Sequence, residues 1–188
     1  MVSAAPAPVV LTLPGWQGSG PAHWQSHWER LHGCQRVEQH DWWQPRRGDW
    51  LARLDEVLVD QPGPVLLAAH SLGCVLVAAW ARYSRHTARV RGALLVAPGD
   101  VEQAGLAPAL PGWAPIERQR LPFPSRLVAS RNDPYCTWGR AAALATDWGC
   151  DLVDAGERGH LNADSGLGDW PQGWTLLDPW RRAAAPTP

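Results

Sequence analysis

A serine hydroxyl becomes a nucleophile when a neighbouring base takes its proton and a carboxylate orients that base. One residue of each kind stands at a telling place in this sequence. Ser71 lies in Ala69-His70-Ser71-Leu72-Gly73, Asp133 in Ser130-Arg131-Asn132-Asp133-Pro134, and His160 in Gly159-His160-Leu161-Asn162. The first stretch is G-x-S-x-G with Ala69 in place of the first glycine. Geometry explains those residue types. A strand that turns sharply into a helix puts serine in a strained corner, and the residues two before and two after it pack together, so both must be small. Alone, the pattern also fits an ordinary strand-to-helix turn that contains a serine. With a base and an acid it would support attack on a carbonyl and cleavage of an ester or amide.

Each assignment has a plainer competitor. His160 fits a general base that later acts as acid, because imidazole titrates in the useful range; the competitor is a solvated loop histidine. His70 is nearer in sequence, but adjacent residues on such a turn point apart, so it is expected to pack or hydrogen-bond beside the turn. His23 and His27 have the i, i+4 spacing of a metal pair without a carboxylate or HExxH context. His32, His40 and His86 lack the placement. Asp133 could simply form the turn before Pro134; Asp151, Asp154 and Asp100 are the other candidate acids. Two N–H donors for an oxyanion are expected from Leu72, at the helix start, and from Trp16, after the first strand. Gly15 would let the backbone come close to substrate. Trp24, Trp28, Trp50 and Trp80 read as core, whereas Trp16, Trp113, Trp138 and Trp170 are expected to wall an apolar acyl pocket.

The elements that must position these groups follow from periodicity and punctuation. Val9–Leu13 reads as a buried strand. Pro21 is expected to open a helix with Trp24, Trp28 and Leu31 at helical spacing, ended by Gly33. Arg36–Gln39 reads as a second strand. Asp49 is expected to cap a helix that turns Trp50, Leu51, Leu54, Val57 and Leu58 inward. An apolar run from Val65 leads to Ser71, and a helix follows to about Tyr83. Further strands are read at Val90–Ala97, Arg126–Ser130 and Cys150–Val153. A helix runs from Thr137 to Trp148, with Gly149 as its C-cap. Residues 99–124 form a Pro-rich excursion, and 156–173 a Gly-rich loop with His160, followed by a short Trp-containing helix. Strands alternating with helices imply a mostly parallel sheet covered on both faces. Ser71, Asp133 and His160 would each follow a strand at the carboxyl edge, where such sheets place function.

Composition narrows the classes. The 188 residues suit a single domain, with 1–8 and 183–188 as loose tails. A net charge of −1 gives no basic footprint for nucleic acid. All 17 cationic side chains are Arg, which reads as a GC-rich genome. Gly15-Trp16-Gln17-Gly18-Ser19-Gly20 matches no phosphate-binding loop, and there is no Lys to serve one. No stretch is long enough for a membrane span, and no secretory leader is visible, so the expected compartment is the cytoplasm. The four cysteines form no CxxC pair and read as reduced, structural thiols. No metal or cofactor is expected.

The chain resembles the small serine hydrolases named for a retinoblastoma-binding protein, with bacterial YdeN-like relatives, in the α/β-hydrolase superfamily. The resemblance rests on PGWQGSGPAHWQSHWE, AHSLGC, SRNDPYC and GERGHLNADSGLGDWPQG, spread over residues 9–174. It implies a three-layer α/β-hydrolase fold without a large cap domain, and a triad of Ser71, Asp133 and His160 in the superfamily's chain order. Pro14 departs from the His-Gly of many hydrolases, which leaves oxyanion binding to backbone. No L-x-C-x-E segment is present, so pocket-protein binding does not carry over. The expected activity is a carboxylesterase on small acyl esters. The alternatives are an amidase, an acyltransferase, or a binding protein that keeps the fold with little turnover.

Overall fold

A central sheet carries the molecule in the computed structural model, which describes residues 8–182. Apart from Pro8, the expected loose tails lie outside the described residues. The strands are Val9–Leu13 (β1), Gln35–Arg36 (β2), Val65–His70 (β3), Val90–Val96 (β4), Ser125–Ala129 (β5) and Asp151–Asp154 (β6). All pair in parallel, in the order β2-β1-β3-β4-β5-β6. The central strands are apolar throughout because both faces are covered. Leu11, Leu13, Leu67 and Ala69 face one helical layer, formed by Arg47–Asp60 (α2), Leu72–Tyr83 (α3) and Trp138–Trp148 (α4). The alternate residues Val10, Leu66, Ala68, Leu94 and Val96 face the other. That layer holds Trp24–His32 (α1) and the short Pro171–Thr175 (α5) and Asp178–Arg182 (α6).

The strand order reverses direction between β1 and β3. Open α/β sheets form a crevice at such a point, beyond the carboxyl ends of the strands. The segment after β1 and the corner after β3 therefore meet there, which places Gly15 and Trp16 beside Ser71.

Several boundaries differ from the sequence expectation. Helix α1 begins at Trp24, not near Pro21, because His23 takes the cap position and accepts the Gln25 N–H on its Nδ1 at 3.2 Å. Leu31 points outward from α1. Strand β2 is only two residues long. Helix α2 starts at Arg47, so Asp49 lies in its first turn, where a carboxylate suits the helix dipole without capping it. Leu51 and Val57 are half-buried. Two short helices, α5 and α6, stand in place of one.

The Pro-rich segment after β4 is folded down rather than loose. Val101, Leu110, Trp113, Ile116, Leu121 and Phe123 are all buried in the core. Arg140 of α4 pairs with Asp100 at 3.2 Å and also with Glu102. Arg118 reaches Asp147 at 2.6 Å. These contacts hold both ends of the segment against α4.

Candidate active site

The corner between β3 and α3 is tight by construction. Ser71 has φ 53° and ψ −119°, a conformation that non-glycine residues avoid. Its N–H donates to Val96 O at 3.1 Å, which fixes the turn to β4. A Cβ on Gly73 would lie 2.3 Å from Leu13 O, and one on Gly15 would lie 2.7 Å from Ser71 Cβ. Backbone thus meets backbone where β1 ends beside this corner. Gly15 accordingly packs against the Ser71 turn.

The structure brings Ser71, His160 and Asp133 into one hydrogen-bonded chain. His160 Nε2 lies 2.9 Å from Ser71 Oγ, and His160 Nδ1 lies 2.9 Å from each carboxylate oxygen of Asp133. A carboxylate only accepts, so Nδ1 carries the proton and Nε2 is free to accept from the serine hydroxyl. The side chains of His160 and Asp133 are 8% and 2% exposed, which keeps water from competing for this pair. The two loops are also stitched together. Arg158 N–H donates to Ser130 Oγ at 2.8 Å, and Gly159 N–H to Asn132 Oδ1 at 2.7 Å. Tyr135 N–H donates to Asp133 Oδ1 at 2.8 Å.

The other candidates are occupied elsewhere. Asp154 binds Arg131, Asp100 binds Arg140, and Asp151 is exposed on β6. His70 turns away from Ser71, and its Nε2 lies 2.9 Å from His160 O. Burial pushes its pKa well below the usual histidine range. Burial, with Arg36 adding to it, lowers His23 to about 3. His27 Nδ1 faces Asp169 at 2.6 Å while His23 caps α1, so the pair does not converge on one point. Among the described residues, no group of three or more His, Cys, Asp or Glu is arranged to hold a metal ion. All four cysteines are free, and burial raises the Cys74 thiol.

A cavity of about 310 Å³ opens over Ser71 and His160. Val101, Leu106 and Leu110 from the segment after β4 line it, with Trp16 and Tyr135 also contributing. Leu72 is the first residue of α3, so its N–H has no partner within the helix. Trp16 lines the cavity as expected, but the other three tryptophans do not. Trp113 is fully buried, edge-on to Trp50, and donates its indole N–H to Pro45 O at 2.8 Å. Trp138 lies beneath the Arg131 guanidinium at the start of α4. Trp170 stacks with Trp28 on the opposite helical layer. The aliphatic wall that replaces them gives only a weak signal in sequence, because Leu106 and Leu110 share one short turn while Val101 comes from the turn before it.

The sheet, the helical layers and this site define an α/β hydrolase without a large cap domain. The chain belongs to the Serine hydrolase family, whose model matches residues 10–179. A YdeN-like hydrolase from Pectobacterium atrosepticum shares 30% identity, covering 93% of this chain and 91% of that one, with a TM-score of 0.80. The ydeN gene product of B. subtilis shares 21% over 92% and 98%, with a TM-score of 0.74. A Bacillus cereus carboxylesterase shares 16% over 89% and 87%, with a TM-score of 0.55. These last two likenesses concern the fold. No curated protein matches the chain. Among the described residues, no helix is long and apolar enough to cross a membrane.

Proposed function

We propose that this hydrolase is a carboxylesterase acting on small acyl esters through Ser71, His160 and Asp133. The observation that carries the reading is the chain from Ser71 Oγ to His160 to Asp133 at the floor of a cavity of about 310 Å³. Ser71 attacks the ester carbonyl while His160 Nε2 takes its proton, and Asp133 stabilises the resulting imidazolium. The negative oxygen is received by the N–H groups of Leu72 and Trp16. His160 then protonates the departing alcohol, and water, activated by the same nitrogen, releases the acid. Val101, Leu106 and Leu110 offer the acyl group an apolar wall, and the small volume favours short chains. The strained Ser71 conformation fits a nucleophile elbow. The free thiols fit a reducing cytoplasm, and the chain is taken as one hydrolase domain.

A fluorophosphonate probe tests the nucleophile, and a panel of p-nitrophenyl esters tests the substrate class. Wild-type protein should be labelled on Ser71 and should turn over acetate and butyrate esters faster than long-chain ones, with Ser71→Ala silent in both assays. Folded wild-type protein that resists the probe would overturn the reading.

A further inference from the structure

Two consecutive carbonyls of the loop that carries His160 are each held by a buried side-chain donor. His70 Nε2 lies 2.9 Å from His160 O, and Trp24 Nε1–H donates to Leu161 O at 3.0 Å. A carbonyl only accepts, so the His70 proton is on Nε2. His70 comes from the end of β3 and Trp24 from the start of α1, while His160 follows β6. Neither donor has a part in the acyl chemistry proposed above.

The loop needs an external hold. Gly159 has φ 58° and Leu161 has φ 49°. Leucine in the left-handed region is strained and persists only where its surroundings impose it. On the side toward Asp133, the Arg158 and Gly159 N–H groups are already tied to Ser130 and Asn132. The carbonyls of His160 and Leu161 complete the hold on the other side. Both donors are themselves fixed. The His23 ring lies edge-on to His70 with centroids 4.6 Å apart, and Trp24 lies edge-on to Trp28 and Trp170 at 4.5 and 5.2 Å. Packing asks only for volume at these positions; the N–H groups answer the two carbonyls. His70 is also bonded directly to Ser71. The hydrogen bond from His70 therefore links the nucleophile's neighbour to the backbone of the base, so that Oγ and Nε2 are set by one short, buried circuit.

We propose that His70 and Trp24 form a two-donor clamp that positions His160 for proton transfer with Ser71. This rests on the Ser71–His160–Asp133 reading. The two are positioning residues and touch no reacting atom. A base displaced by about 1 Å loses on the order of a hundredfold in rate, so the clamp acts on kcat; His70 also lines the cavity, and Trp24, which does not, separates the clamp from substrate binding.

The test compares His70→Leu, His70→Gln and Trp24→Phe with wild type, by p-nitrophenyl acetate hydrolysis, fluorophosphonate labelling rate and thermal melting. Trp24→Phe keeps a ring and drops the N–H; His70→Gln places an amide N–H near the original Nε2. His70→Leu and Trp24→Phe should each lower kcat about tenfold to a hundredfold, with labelling slowed in step and, in Trp24→Phe, KM unchanged. His70→Gln should recover most of the loss. Wild-type kcat in folded Trp24→Phe or His70→Leu overturns the clamp, as does a loss confined to KM, or His70→Gln no faster than His70→Leu. Should His70→Leu not fold, Trp24→Phe decides by the same two outcomes. Wild-type protein that is neither labelled nor active removes the triad reading and the clamp with it.

Discussion

Asp133 Oδ1 serves two donors at once, His160 Nδ1 at 2.9 Å and Tyr135 N–H at 2.8 Å. This double use makes the acid sensitive to a change of one atom. In Asp133→Asn the amide oxygen must stay with the Tyr135 N–H, which has no other acceptor in the turn. The amide NH2 then takes the Oδ2 position, 2.9 Å from His160 Nδ1, where it repels an Nδ1–H and favours the tautomer in which that nitrogen accepts. The imidazole proton moves to Nε2, which can no longer take the Ser71 proton. The expected loss in kcat is about ten-thousandfold, as for a triad held in the wrong tautomer. The melting temperature should change little. A variant within tenfold of wild type by p-nitrophenyl acetate hydrolysis would sink this role for Asp133.

Two glycines near Ser71 should fail in different ways. A Cβ on Gly73 would stand 2.3 Å from Leu13 O, a backbone atom that cannot move aside cheaply. Gly73→Ala should therefore destabilise the fold by about 2–4 kcal/mol, through overpacking and backbone shift. A Cβ on Gly99 would instead stand 3.2 Å from Ser71 Oγ and 3.7 Å from the Leu72 nitrogen. Gly99→Ala should fold, yet obstruct the space a carbonyl group must enter. Urea unfolding and fluorophosphonate labelling separate the two. Equal labelling rates for Gly99→Ala and wild type would count against the assigned position of the reacting carbonyl.

The arrangement is legible in the sequence to the extent that local signals set it. The apolar runs, the Gly and Pro punctuation and the small residues around Ser71 are enough to place three loops at one sheet edge. The boundaries are less legible where a side chain makes an unexpected contact. His23 caps α1 through a ring nitrogen, which no standard cap rule anticipates. Tryptophan misleads most. Trp113, in the Pro-rich excursion, is expected to wall the acyl pocket, but its indole finds Pro45 O across the fold. The cavity wall is hidden for the converse reason. Leu106 and Leu110 sit one turn apart but Val101 does not fall on their spacing, and the docking of their segment, by Arg140 at one end, Arg118 at the other and its own buried apolar side chains between, brings them over Ser71. The contacts of His70 and Trp24 with the His160 loop join segments far apart in the chain and leave no sequence trace.

The cavity wall gives a prediction about substrate length. Leu106 is half-buried and lines the cavity, so truncating it enlarges the space with less damage than at the buried Leu110. Leu106→Ala should shift the optimum in an ester panel toward longer acyl chains. Each methylene accommodated is worth about 1–3 kcal/mol in kcat/KM discrimination. Leu106→Trp should shift the optimum the other way. An unchanged chain-length profile in both variants would move the acyl group to another part of the cavity.

Buried histidines make acid stability a further readout. His23 titrates at about 3 in the folded chain, against about 6.5 when unfolded, mainly because burial disfavours its charged form. Below pH 6.5 the unfolded state therefore binds a proton that the folded state refuses. Stability is complete above that pH and falls as pH drops toward 3, by about 1.4 kcal/mol per pH unit for this group. His70 is depressed in the same direction and adds to the slope. Asn is a strong N-cap residue and does not titrate. His23→Asn should thus keep a cap on α1 while flattening the acid limb by about one proton. Its stability at pH 8 should be lower, since the ring's packing against His70 is lost. Urea unfolding between pH 8 and pH 4 measures both effects. Parallel curves for wild type and His23→Asn would show that His23 charges freely in the folded chain, which would contradict the burial that holds it at the head of α1.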